Sequence, residues 1–119
     1  KYRIDGQLID ARSCHCSRCR KAFSGAGSAY AQVRADQFAW LQGASDLTTY
    51  GDKTKFSLGF CRICGSTLCG LYGGIIHGIT LGTLIDDPGV IIEKHIFVGS
   101  KASWDIIGGS VPQFKAAEN

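Results

Sequence analysis

Six cysteines in 119 residues are arranged in a pattern that a disulfide framework uses poorly. Three fall within Cys14-His15-Cys16-Ser17-Arg18-Cys19, two form Cys61-Arg62-Ile63-Cys64, and Cys69 stands alone. Cysteines this close bridge to one another only with special geometry. C-x-C and C-x-x-C turns, by contrast, aim two thiolates at one ion. A thioredoxin-like redox pair at Cys61 and Cys64 would lead into a helix after a strand; here Gly65 and a strand-like run follow, which argues against it. Zinc is the natural metal for thiolate-rich ligand sets, although iron fits the same spacing.

Two ligand sets are open on spacing alone. In a zinc ribbon, Cys16 and Cys19 join Cys61 and Cys64 in a closed four-sulfur site, and Cys14 is a bystander. In the other, Cys14, Cys16 and Cys19 hold their own ion and leave its fourth position open, as catalytic zinc sites do. Cys61 and Cys64 then belong to a second, incomplete site. Spacing by itself favours the ribbon, because closed sites are the commoner use of paired knuckles.

The rest of the chain predicts a mainly β frame. Sixteen glycines and only two prolines, among many β-branched residues, suit short strands and tight turns. Strands are expected over 1–4 and 7–11 around an Asp5-Gly6 hairpin turn, then over 28–34, 47–50, 55–60, 67–72, 75–84 and 90–98. Asp36 is expected to cap a short helical turn carrying Phe38, Trp40 and Leu41, and Asp86-Asp87-Pro88-Gly89 to form a turn. The tail over 101–114 reads as loop with one helical turn. The length suits one domain with a real core. No apolar run approaches the roughly 20 residues that span a bilayer, and no signal-peptide pattern opens the chain. The net charge of +3 is too mild to argue for nucleic acid.

Read in order, Cys14-His15-Cys16-Ser17-Arg18-Cys19-Arg20-Lys21-Ala22, Phe60-Cys61-Arg62-Ile63-Cys64-Gly65-Ser66, Gly82-Thr83-Leu84, the run from His95-Ile96-Phe97 to Ser103-Trp104, and Val111-Pro112-Gln113-Phe114 resemble one family. It is the glutathione-dependent formaldehyde-activating enzyme family, which includes the zinc domain of centromere protein V. The resemblance implies a single zinc domain over 1–119 with a small, zinc-containing antiparallel β-fold of the β-tent kind. It implies that Cys14, Cys16 and Cys19 match the three ligands of a catalytic zinc, which reverses the preference for the ribbon. Cys61 and Cys64 match half of a structural zinc site. The family's other half is a C-x-C-G segment ahead of the first strand, which here would precede Lys1; either the chain starts after it, or this member lacks the second zinc.

The implied activity is that of a zinc-dependent carbon–sulfur lyase acting on a glutathione or other thiol adduct of an aldehyde, such as S-(hydroxymethyl)glutathione. The alternative is a non-catalytic, zinc-stabilised binding module. The expected partner is glutathione or a related thiol adduct, with no membrane and no nucleic acid, in the cytoplasm. Three thiolates make zinc electron-rich, so such a site suits thiol capture better than water activation.

The surroundings fit a thiolate centre. Residues 11–35 carry Arg12, Arg18, Arg20, Lys21 and Arg34 and no acidic residue. A positive field there would lower thiol pKa values and attract carboxylates, though solvated surface charge is an equally good reading. His15 is expected to turn away from the metal, His77 and His95 to be hydrogen-bonded or surface residues, and Cys69 to be a small buried apolar side chain. Lys101 and Trp104 are candidates for a substrate pocket, with Trp104 equally readable as core or lid. Asp86 and Asp87 belong to their turn.

Overall fold

The computed structural model describes residues 1–118 and is mostly β. Seven strands form one sheet in the order β5-β6-β7-β8-β3-β2-β9: β2 (Ile9–Cys14), β3 (Ser28–Gln32), β5 (Leu47–Gly51), β6 (Phe56–Cys61), β7 (Thr67–Tyr72), β8 (Ile75–Thr80) and β9 (Lys94–Ile96). Two more, β1 (Tyr2–Ile4) and β4 (Phe38–Trp40), pair as a separate ribbon. All pairs are antiparallel except β2 with β9, which run parallel. That pair and the isolated parallel bridge of His95 with Gln113 are the parallel contacts in an otherwise antiparallel fold among the described residues.

Strand alternation divides the large sheet into two faces. Gly59, Cys69, Ile79 and Ala31 are successive register partners across four strands and point to the core. There they meet Leu8, Ala11, Val33 and Leu71. Ile79 is 1% exposed, and burial of such a side chain contributes about 2 kcal/mol. The β1–β4 ribbon covers part of this core, with Tyr2, Ile4 and Phe38 packed against it. Tyr2 stacks on Phe38 at 5.1 Å, and Phe38 meets Trp40 edge-on at 4.9 Å, an arrangement that orders the ribbon beyond its area alone.

Several expectations are corrected here. Asp5-Gly6 does not close a hairpin: β1 pairs with β4 and not with the segment that follows it. Gly6 takes φ 94°, and the chain leaves toward Leu8 in the core. Phe38 and Trp40 lie on a strand, not a helical turn; a 3-10 turn spans Ala35–Gln37 and is capped at Arg34 instead of Asp36. The strand expected over 75–84 ends at Thr80 and passes into a 3-10 turn at Leu81–Thr83. Of the strand expected over 90–98, only Lys94–Ile96 pairs.

Candidate metal centre

The first cysteine group spans the end of β2 and the start of a short helix, α1 (Ser17–Phe23). Cys16 is the residue that caps this helix. Its backbone is extended and its Sγ accepts the Cys19 N–H at 3.3 Å, the role that a Ser or Asp side chain usually fills. One turn of helix then carries Cys19 back toward Cys14 at the end of β2. The three sulfur atoms lie within 4.8 Å of one another. A tetrahedral zinc with bonds of about 2.3 Å needs sulfurs about 3.8 Å apart, so the donor set and its spacing suit zinc.

The chain approaches this cluster closely from β3. A Cβ built on Gly27 would sit 2.3 Å from the Cys14 carbonyl oxygen, so only glycine lets the strand start there. Ser28, the register partner of Cys14, brings a hydroxyl to the thiols. The Cys19 thiol is drawn down to about 6, chiefly by a hydrogen bond from Cys14, with Ser28, Cys16 and the Arg18 charge helping against burial. Cys14 moves the opposite way, raised first by holding the proton toward Cys19 and then by burial. The hydrogen bond between them thus favours the proton on Cys14 and the thiolate on Cys19.

The ribbon reading does not survive this geometry: Cys61 and Cys64 stand outside the three-sulfur group. They sit at the end of β6 and in the turn after it. Among the described residues, no third His, Cys, Asp or Glu donor joins them. The Ser66 hydroxyl, 3.2 Å from Cys64 Sγ, pulls that exposed thiol below its ordinary range. Lys1 and Cys61 line the same cavity of about 250 Å³, and Cys64 is not part of its wall.

Cys14 is the register partner of Ile96 and shares the outer face of the sheet with Ser28, Arg12 and Tyr30. Tyr30 is pushed up to about 12 by burial and the three nearby thiols, with Arg12 pulling the other way from 5.7 Å over its ring. Further along this face, a groove of about 570 Å³ runs beside α1. Ser17, Arg18, Lys21 and Ala22 form its helical wall, and Tyr50, Leu58, Phe60 and Thr67 its sheet wall. Of the five basic residues near the cysteines, Arg12 is paired with Asp10 and Arg34 with Asp36, while Arg18 and Lys21 face the groove. The sequence singled out the charges but not Tyr30 or the aromatic wall, because strand register alone brings those to the cluster.

A family model for the glutathione-dependent formaldehyde-activating enzymes matches residues 1–100. The chain belongs to this family. Among solved structures, the glutathione-dependent formaldehyde-activating enzyme fold seen here is similar to the crystal structure of a Rhodobacter sphaeroides protein, with 25% identity and a TM-score of 0.54. The likeness covers 94% of this chain and 89% of that one. None of the curated proteins matches the chain significantly. No helix among the described residues of this family member is long and apolar enough to cross a membrane.

The remaining candidates fall where the fold sends them. Cys69 is 1% exposed in the core, and burial raises its thiol to about 11. His77 packs over Gly70, with its Nε2 3.0 Å from where a Cβ would be. Trp104 is 69% exposed, so the core reading of this residue is corrected. Gly89 N–H bonds Asp87 Oδ1 at 2.8 Å, which keeps Asp87 within its turn. His15 turns away from the sulfurs toward His95.

Proposed function

We propose that the chain is a zinc-dependent carbon–sulfur lyase acting on a glutathione, or related thiol, adduct of an aldehyde such as S-(hydroxymethyl)glutathione. The observation that carries this reading is the convergence of Cys14, Cys16 and Cys19, with no fourth protein donor joining them among the described residues. Three thiolates would hold zinc and leave one tetrahedral position for a ligand from outside. Zinc bound there would keep a substrate sulfur deprotonated near neutral pH.

The chain's own residues supply the rest. Arg18 and Lys21 line one groove with Leu58, Phe60 and Tyr50, which supports binding of a glutathione moiety's carboxylates by the cations and packing of its apolar parts on that wall. Tyr30 keeps its proton at neutral pH, so its Oη can donate to the aldehyde oxygen. In the forward sense a carbon–sulfur bond forms, the carbonyl π bond opens, and the thiol's proton ends on the new hydroxyl. The lyase direction reverses each change, and no oxidant or reductant is consumed. Cysteine spacings that suit metal ligation better than a disulfide framework support a reducing, cytoplasmic setting.

Cys61 and Cys64 are assigned to a second, structural zinc.

The test is zinc content per chain together with zinc-edge X-ray absorption, with and without glutathione. A rise from three to four sulfurs around one zinc on adding glutathione supports the open site. A zinc with four protein sulfurs that ignores glutathione removes the lyase reading.

A further inference from the structure

His15 sits between two of the three clustered cysteines yet takes no place among them. Its ring is 5% exposed. Nε2 lies 2.9 Å from Nδ1 of His95. His95 is the register partner of Ser13, one step out of phase with Cys14, so the ring pair lies on the sheet face opposite the sulfurs. Two neutral imidazoles bond this way only if one nitrogen donates. With the proton on His15 Nε2, a bare Nδ1 would face the Asp105 carboxylate at 3.9 Å, acceptor against acceptor. With the proton on Nδ1, that N–H faces the carboxylate, and Nε2 accepts from His95 Nδ1–H. Nδ1 is buried with no partner at hydrogen-bond distance, so the attraction of the Asp105 carboxylate, with the Ala26 backbone also on this side, makes the second arrangement the favourable one.

Each member of this group is itself held. The His15 N–H donates to the Ile96 carbonyl at 2.9 Å. His95 is fixed on both sides, donating to Pro112 O and accepting from Phe114 N–H at 2.9 Å each. The Asp105 N–H donates to Ala102 O at 3.2 Å, and its carbonyl accepts from Lys101 Nζ at 2.9 Å. The segment from Lys101 to Asp105 thus ends against the back of the cysteine loop, a role separate from lining a pocket.

The geometry points to His15, His95 and Asp105 as a brace: positioning residues that fix the backbone between Cys14 and Cys16 from the far side of the sheet and so set the spacing of the three sulfurs. The inference rests on the zinc reading above. A metal tolerates ligand displacements of only about 0.2 Å, and any rotation at His15 swings the sulfurs on either side of it. A ring bonded to His95 and a backbone N–H bonded to Ile96 remove that rotation. Groups behind a metal's ligands commonly act by orienting them; here the oriented element is the peptide joining two ligands.

The test compares His95→Ala, which removes the donor, with His95→Asn, whose amide occupies the position of Nδ1. In cobalt-loaded protein, His95→Ala is expected to shift the thiolate-to-metal absorption bands. Competition with a chromophoric chelator should show zinc affinity lowered roughly tenfold, with His95→Asn restoring most of it. In metal-free protein, amide hydrogen exchange over residues 15–20 should quicken in His95→Ala and recover in His95→Asn. Exchange that responds in this way while the parent chain takes up no zinc supports the brace and removes the zinc reading. Bands, affinity and exchange all unchanged in His95→Ala overturn the brace. Should His95→Ala fail to fold, Asp105→Ala carries the same readouts, and an unchanged result there overturns it too.

Discussion

Gly27 lies so close to Cys14 that a single added carbon would stand 2.3 Å from the Cys14 carbonyl oxygen. The obstructing atom is backbone, so it cannot swing aside as a side chain would. Gly27→Ala is therefore expected to cost about 1–3 kcal/mol through overpacking. Because the strain falls on Cys14, one of the three proposed zinc ligands, zinc affinity should fall with it. Thermal unfolding and zinc titration of the same variant check both; a stable protein with loose zinc or a parent-like variant would contradict the geometry.

Tyr30→Phe separates proton donation from metal binding. The phenol stays protonated at neutral pH because burial and the neighbouring thiols push it up to about 12. Removing the hydroxyl should lower kcat on a hydroxymethyl thiol adduct by about a hundredfold. Zinc stoichiometry should not change. Single-turnover kinetics beside metal analysis gives the answer.

Arg18 and Lys21 are the two cations of the cluster region that line the groove. Replacing both by Ala should raise KM for a glutathione adduct about tenfold, the scale of lost charge-assisted hydrogen bonds. The kcat should move little. Added salt should weaken binding in the parent far more than in the double variant.

Cys69 gives a signature in alkali. Its folded thiol lies at about 11, above its ordinary 9.0, because the core excludes water. A group raised on folding contributes fully below 9.0 and loses that contribution as pH climbs toward 11. The unfolded chain releases its proton first. Two units correspond to about 2–3 kcal/mol. Urea unfolding from pH 8 to 11 should therefore fall more steeply for the parent than for Cys69→Ala, which is less stable at pH 8 but flatter above it.

What the sequence made legible follows from which forces are local. Strands at Thr67–Tyr72 and Ser28–Gln32 announce themselves through alternation, and the cysteine spacings through turn geometry. Helix α1 does not: it has seven residues, buries none of them fully, and is capped by a cysteine, so neither periodicity nor the usual cap residues mark it. The Phe38-Ala39-Trp40 strand was readable as a helical turn because three residues satisfy either period. Only its distant partner, Tyr2 to Ile4, decides the matter. Likewise, spacing could not choose between the ribbon and the three-cysteine group. The choice is made by the sheet, which carries Cys61 away along β6 while α1 packs beside β3.

The parallel β2–β9 pair has a consequence for how the protein comes into being. His15 finds its ring partner 80 residues later in the chain. The cysteine loop therefore takes its final spacing only once β9 has docked beside β2, a contact that closes a long loop of chain and so forms at an entropic cost no local turn incurs. Before that docking, the His15 ring and backbone N–H lack the partners that hold them in the folded protein. The cysteine site is thus a product of the non-local stage of folding and not of its own six-residue segment.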